Sequence, residues 1–202
     1  MEAREVVRRY VIALRETSVA QGQDLLAEFR LTRKAAQSLG EFGDMVADSG
    51  LTAALEAWGL PIPPQDAPDM AILRLTSAWV DEDGGLEAAV ARTALATCLG
   101  KVSASAPGMK SRVDGSALVK SFLAIALCQR LALDLGESLE AAAAGWPEFR
   151  KALAKLEDEL YAATDAVPED PPGAGQWQGL AGWLWVTQVL ENLLQRFQEI
   201  KA

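Results

Sequence analysis

The stretch from Ser116 to Leu135, SALVKSFLAIALCQRLALDL, is apolar on every side when wound as a helix. Such a helix has no face suited to water, so other elements must surround it. The rest of the chain supplies helices for that purpose. Val7, Tyr10, Val11 and Leu14 recur at helical spacing in a first helix from about residue 2 to residue 20. Gly22 is expected to break or kink the chain before QDLLAEFRLTRKAAQSL continues as a second helix. EFGDMVADSG reads as a short helix ended by Gly50, and LTAALEAWG as another ended by Gly59. After the proline-rich LPIPPQDAP, Asp69 is placed to cap a helix containing Leu73 and Trp79. DEDGG ends that helix, and Leu86 to Leu99 form the next. Pro147 suits the first turn of PEFRKALAKLEDELYAAT, and a last helix runs to the C-terminus. No segment alternates with the period of a strand. The expectation is an all-α bundle of seven or eight helices around residues 116–135. The 202 residues suit a single helical domain over 1–202, or two lobes, 1–60 and 69–202, joined by the proline-rich connection.

The chain contains no histidine. That removes Ser–His and Cys–His nucleophile pairs, imidazole-ligated zinc, and the Glu-x-x-His motifs of di-iron bundles. Cys98 and Cys128 lie in apolar helical contexts, ALATCLG and AIALCQR, where free thiols pack as small hydrophobes. WVDEDGGLE lacks the repeated oxygen ligands of an EF-hand loop and reads as a helix end with solvated acids. The sequence therefore leads us to expect a non-enzymatic protein with no catalytic residues, metal or cofactor. A helical enzyme using carboxylates and a metal remains as a third reading. No run approaches the roughly 18–20 apolar residues needed to span a bilayer. The amino terminus, MEAREVVRRY, is charged from its second residue, unlike a signal peptide. A cytoplasmic location is the expectation.

Charge is blocked along the chain. Residues 1–34 carry a net +2, residues 35–91 a net −9, residues 92–133 a net +5 and residues 134–202 a net −7. Either each block faces a different partner, whether another protein subunit or a copy of this chain, or the blocks are ordinary surface variation. In the first helix, Arg4, Arg8 and Arg15 fall within an arc of about 40° beside the apolar face. Arg33 and Lys34 close the second helix, and Lys101, Lys110 and Arg112 populate the small-residue loop GKVSASAPGMKSRVDGS. Two readings apply to each group. The helix arginines can lay their stems over the edge of the core and the loop cations can belong to an irregular surface loop, or their heads can follow a phosphate backbone, for which arginine offers paired donors.

Near the C-terminus, PPGAGQWQGLAGWLWVTQVL concentrates glycine and tryptophan. A phosphate-binding glycine fingerprint needs a preceding strand and a G-x-G-x-x-G spacing. Here a helix precedes it, and Gly173, Gly175 and Gly179 do not match, so the stretch reads as a linker entering a helix. On that helix Trp183, Val186, Leu190, Leu193, Leu194, Phe197 and Ile200 share one face. Trp183 is therefore expected to anchor the core while Trp185 points elsewhere. Trp185 then packs on the linker or a neighbouring helix, or it anchors a partner protein.

The segment KAAQSLGEFGDMVADSGLTAALEAWG resembles the N-terminal half of the small helical subunit of type III CRISPR effector complexes. In that family a basic opening helix leads to a short helix, an Asn/Ser-Gly-Leu turn and an alanine- and leucine-rich helix. Ser49, Gly50 and Leu51 would be the turn, with Ala53, Ala54, Leu55 and Trp58 following. WVTQVLENLLQRFQEI is loosely similar to the family's closing helix. The resemblance implies a non-catalytic subunit, active in antiviral defence, that stacks beside copies of itself along a guide–target RNA duplex. It implies contacts to the RNA backbone, without base reading, by Arg4, Arg8, Arg15, Arg33 and Lys34, then by Lys101, Lys110 and Arg112. The alternative is a helical adaptor or oligomerising bundle that binds no nucleic acid.

Overall fold

A computed structural model describes residues 3–20, 25–60, 68–80, 85–103, 114–143, 145–164 and 170–196. Among these residues there are eight α-helices, one 3-10 turn and no strand, so the chain is an all-α bundle. The helices are α1 Ala3–Ala20, α2 Arg30–Ser49, α3 Leu51–Ala57, α4 Pro68–Trp79, α5 Gly85–Ser103, α6 Gly115–Ala142, α7 Trp146–Thr164 and α8 Leu180–Arg196. The 3-10 turn, Leu25–Phe29, leads directly into α2.

Helix α6 takes the central place that its all-round apolarity demands, packing against α1, α2, α5, α7 and α8. Its residues Phe122 to Leu127 are buried without a break. Asp114 caps its first turn, where Oδ1 accepts the Ala117 amide at 2.7 Å. The segment Gly115–Ser138 has a mean hydropathy of 1.5 and is long and apolar enough, by those measures alone, to cross a membrane. This corrects the expectation that no run would reach that length. Its charged side chains, Lys120, Arg130, Asp134 and Glu137, are too few and too widely spread to bring the average down. In the fold, 56% of that stretch is buried against other helices.

The second correction concerns Gly40 and Gly43, at the join between QDLLAEFRLTRKAAQSL and EFGDMVADSG. They do not separate a short helix from its predecessor. Helix α2 continues through Gly40 and Gly43 to Ser49, because both glycines sit where another element presses closest. A Cβ on Gly43 would lie 2.7 Å from the Cα of Gly115 at the start of α6. The break comes at Gly50, with φ of 87°, a conformation that favours glycine. Asp69 lies inside α4, whose first residue is Pro68, rather than preceding it as a cap.

Helix α2 starts without a side-chain cap from its own flank. Glu87, in the first turn of α5, accepts the Thr32 amide at 2.9 Å instead. Burial pushes the Glu87 carboxyl above its ordinary range, while the amides at α2's start pull the other way. One cluster of buried apolar side chains runs from Val6 in α1 to Leu194 in α8 and includes Leu75 of α4 and Leu95 of α5.

Candidate functional site

The glycine- and tryptophan-rich segment ahead of α8 is an ordered plug. Its turn closes through the Gln176 amide and Gly173 carbonyl at 3.0 Å, with Gly175 at φ of 77°. This drives Trp177 into the bundle, where it is fully buried. The indole lies against Gly40, with no room for a Cβ. Its Nε1 donates to Asp44 Oδ2 at 2.7 Å, and Asp44 Oδ1 accepts the Gly115 amide at 2.9 Å. One carboxylate of α2 thereby ties the plug to the first turn of α6. Gln37 Nε2 donates to the Trp177 carbonyl at 2.6 Å and to that of Gly179 at 3.1 Å. Here the glycines serve packing and turning. Sequence reasoning misses Trp177, Asp44 and Gln37, because the bonds from Trp177 to the other two span more than 130 residues.

The same region reverses the roles expected for two tryptophans. Trp185 is only 6% exposed and meets Trp177 edge-on, with ring centroids 5.4 Å apart. Its place is against the linker, the first of its two expected surroundings; it is not a surface anchor. Trp183 is half-buried at the border of the core, with the Arg33 guanidinium 4.1 Å over its ring. The wheel failed because the segment before α8 folds back and covers the side on which Trp185 lies.

Arg33 is likewise corrected from a surface contact to a buried side chain, 5% exposed. Its Nη2 donates to the Leu26 carbonyl at 2.9 Å and its Nη1 to Thr187 Oγ1 at 3.2 Å. It joins the 3-10 turn, α2 and α8. Arg8 is held by Glu5, through its Nε at 2.8 Å and its Nη2 at 3.1 Å, and Arg9 shares the same carboxylate at 2.8 Å. These hydrogen bonds, first to Arg8 and then to Arg9, hold the Glu5 carboxyl at about 2. Arg15 is exposed and has partners of its own. Lys34 is exposed and, among the described residues, has no ion-pair partner. The side chains of Arg4 and Lys101, and all of Lys110 and Arg112, lie outside the described residues. Of the eight cations, the described side chains are those of Arg8, Arg15, Arg33 and Lys34, and Arg33 is withdrawn into the core. Arg8, Arg15 and Lys34 remain as surface positions on two helices.

Between α1 and the end of α6 runs a groove of about 710 Å³. Val6, Ala13, Leu135 and Ala141 form its apolar lining, and Arg9, Tyr10 and Ser138 its polar part. At one wall the Tyr10 hydroxyl donates to Asp134, whose Oδ2 also accepts Arg130 Nε at 2.7 Å. Arg130 reaches Glu28 at 3.7 Å as well. Burial, and then the Asp134 hydrogen bond, raise the Tyr10 hydroxyl above its ordinary value. Asp134 accepts both donors, so the set ties Tyr10 of α1 to α6 as an interhelical clamp. Among the described residues, no three His, Cys, Asp or Glu side chains gather as a metal site.

The outer face of α8 differs from these satisfied networks. Leu180, Leu184, Gln188, Glu191 and Gln195 follow one another along its solvent side, all exposed. Leu180 is 71% and Leu184 57% exposed, one turn apart, with half-buried Trp183 beside them. No protein-family model, curated protein or solved structure matches the chain.

Proposed function

We propose that this chain is a non-enzymatic helical subunit that acts by binding other proteins, with the outer face of α8 as its contact surface. The observation that carries this reading is the exposed pair Leu180 and Leu184 beside Trp183. Aromatic and large apolar residues grouped on an exposed helix face are the composition of an interface centre. The absence of histidine from the sequence supports a non-catalytic role, as does the use of Arg33, Asp44, Arg130 and Asp134 as internal ties. The test is purification of the tagged chain from its native cells, followed by identification of stoichiometric partners. The wild type is expected to bring down a partner that Leu184→Asp loses while keeping its thermal midpoint. A wild type that elutes with no partner, neither another protein nor a second copy of itself, ends this reading.

A second reading, backbone contact with RNA, follows from the resemblance to the small subunit of type III CRISPR effectors. It is supported by exposed Lys34 and Arg15 and by the net +5 of residues 92–133. Local sign decides such contacts, since screening over about 8 Å at physiological salt hides the distant acidic blocks. Binding of single-stranded RNA, measured at two salt concentrations, is expected to weaken with salt at a log–log slope of about −0.7 per phosphate contacted. Lys34→Glu is expected to reduce that slope. Affinity that ignores salt refutes this reading.

A further inference from the structure

We infer that the outer face of α8 pairs antiparallel with the same face of a second copy of this chain. The inference rests on the assembly reading above and names the occupant of that surface. Arg33 of α2 reaches Trp183 and Thr187, whereas Gln37, one turn later, reaches Trp177 and Gly179. Helix α2 thus runs antiparallel to α8, and Lys34 stands alongside the level of residues 180–184. The amino-terminal half of the α8 face therefore offers two leucines with a lysine beside them. The other half offers Gln188, Glu191 and Gln195. Among the described residues, neither Lys34 nor Glu191 has an ion-pair partner in its own chain.

A twofold contact uses the same surface twice, so the surface must contain its own complement. This face does. A twofold axis beside residue 186 sets residue 191 of one helix opposite the level of residue 181 of the other. Glu191 of each copy then lies against Lys34 of its mate. Leu184 of one copy meets Leu184 and the stem of Gln188 of the other. The leucines are covered, and both unpaired charges gain a partner at the rim. An unrelated acidic helix would satisfy Lys34 but leave Glu191 facing like charge.

The expected strength is modest. A helix of 17 residues is about 25 Å long. One such face with the edge of α2 falls at or below the roughly 1,200 Å² at which standard interfaces begin. A reversible dimer with a dissociation constant of about 1 μM or weaker follows.

Sedimentation equilibrium over a concentration series, with light scattering, tests the pairing on the full chain. The wild type is expected to pass from monomer to dimer across the micromolar range. Leu184→Asp, or Leu180→Asp should the first fail to fold, is expected to weaken association by about tenfold or more. Lys34→Glu and Glu191→Lys should each weaken it by about three- to tenfold, the twofold doubling the effect of one rim pair. Combining the two exchanges should restore wild-type association, which loss of general stickiness cannot do. A wild type that stays monomeric throughout overturns the inference, as does a double exchange no better than either single one. If a monomeric wild type still brings down a native partner that Leu184→Asp loses, self-pairing fails and the assembly reading stands. If no partner is brought down, both fail.

Discussion

Replacing Gly40 by alanine is the sharpest probe of how the bundle is held together. The new Cβ would stand 2.3 Å from Trp177 Cε3 and 2.4 Å from Cδ2. Carbon atoms settle at about 3.5–4.0 Å, so the overlap exceeds about 1 Å. The ring has no retreat. It is fully buried, its Nε1 is bound to Asp44 at 2.7 Å, and its backbone carbonyl is held by Gln37 at 2.6 Å. Overpacking of this kind costs about 1–3 kcal/mol, and an overlap this large against a fixed ring belongs at the upper end. Against it stands about 1 kcal/mol that alanine contributes over glycine within a helix. The net expectation is a loss of about 2 kcal/mol, seen as a fall in thermal midpoint of about 4–8 °C for a domain of this size. Gly136→Ala is the matched control, since Gly136 lies inside α6 and a Cβ there would meet nothing within 4 Å. There the helix preference acts alone, and a gain of up to about 1 kcal/mol is expected. Calorimetry and urea unfolding, with tryptophan fluorescence as the probe, would read both variants. Equal signs for the two substitutions, or a stabilised Gly40→Ala, would refute the packing argument.

Two further expectations concern titration. The Glu5 carboxyl, held by Arg8 and Arg9, should show a midpoint at about 2 by side-chain NMR, against its ordinary 4.5. Because the folded value is the lower one, the charged carboxylate supports α1 above pH 4.5, and that support fades as pH falls toward 2. Added salt should move the midpoint upward by screening the pairs, and a midpoint near 4.5 at low salt would discredit the arrangement. For the cysteines, burial pushes the Cys128 thiol up to about 11, with Glu157 adding to the rise, and Cys98 is 1% exposed. The folded protein is expected to react slowly with a disulfide reagent at about pH 8, and the denatured chain to yield both thiols at the free-cysteine rate. Fast reaction of Cys128 in the folded state would show that it is not shielded.

Periodicity carried the architecture. An element apolar on all sides, Ser116 to Leu135, has only one stable place, and it lies at the centre of the bundle. The helical class and the ends at Gly50 and Gly59 were legible for the same reason: each depends on residues a few positions apart. What failed depended on distance. A wheel treats a helix as if its surroundings were uniform, so it set Trp183 inside and Trp185 outside. The folded-back segment at residues 170–179 then covered Trp185.

Composition and short-range spacing settle the class of fold, the central helix and the lack of imidazole chemistry. Which cations stay at the surface was set by the packing of the helices. Arg8 and Arg33 look alike on paper. One is bound to a carboxylate a single turn away. The other became a buried tie because Leu26, Thr187 and Trp183 converge on it from the 3-10 turn and α8. That convergence is a property of how the helices pack, and no local pattern encodes it.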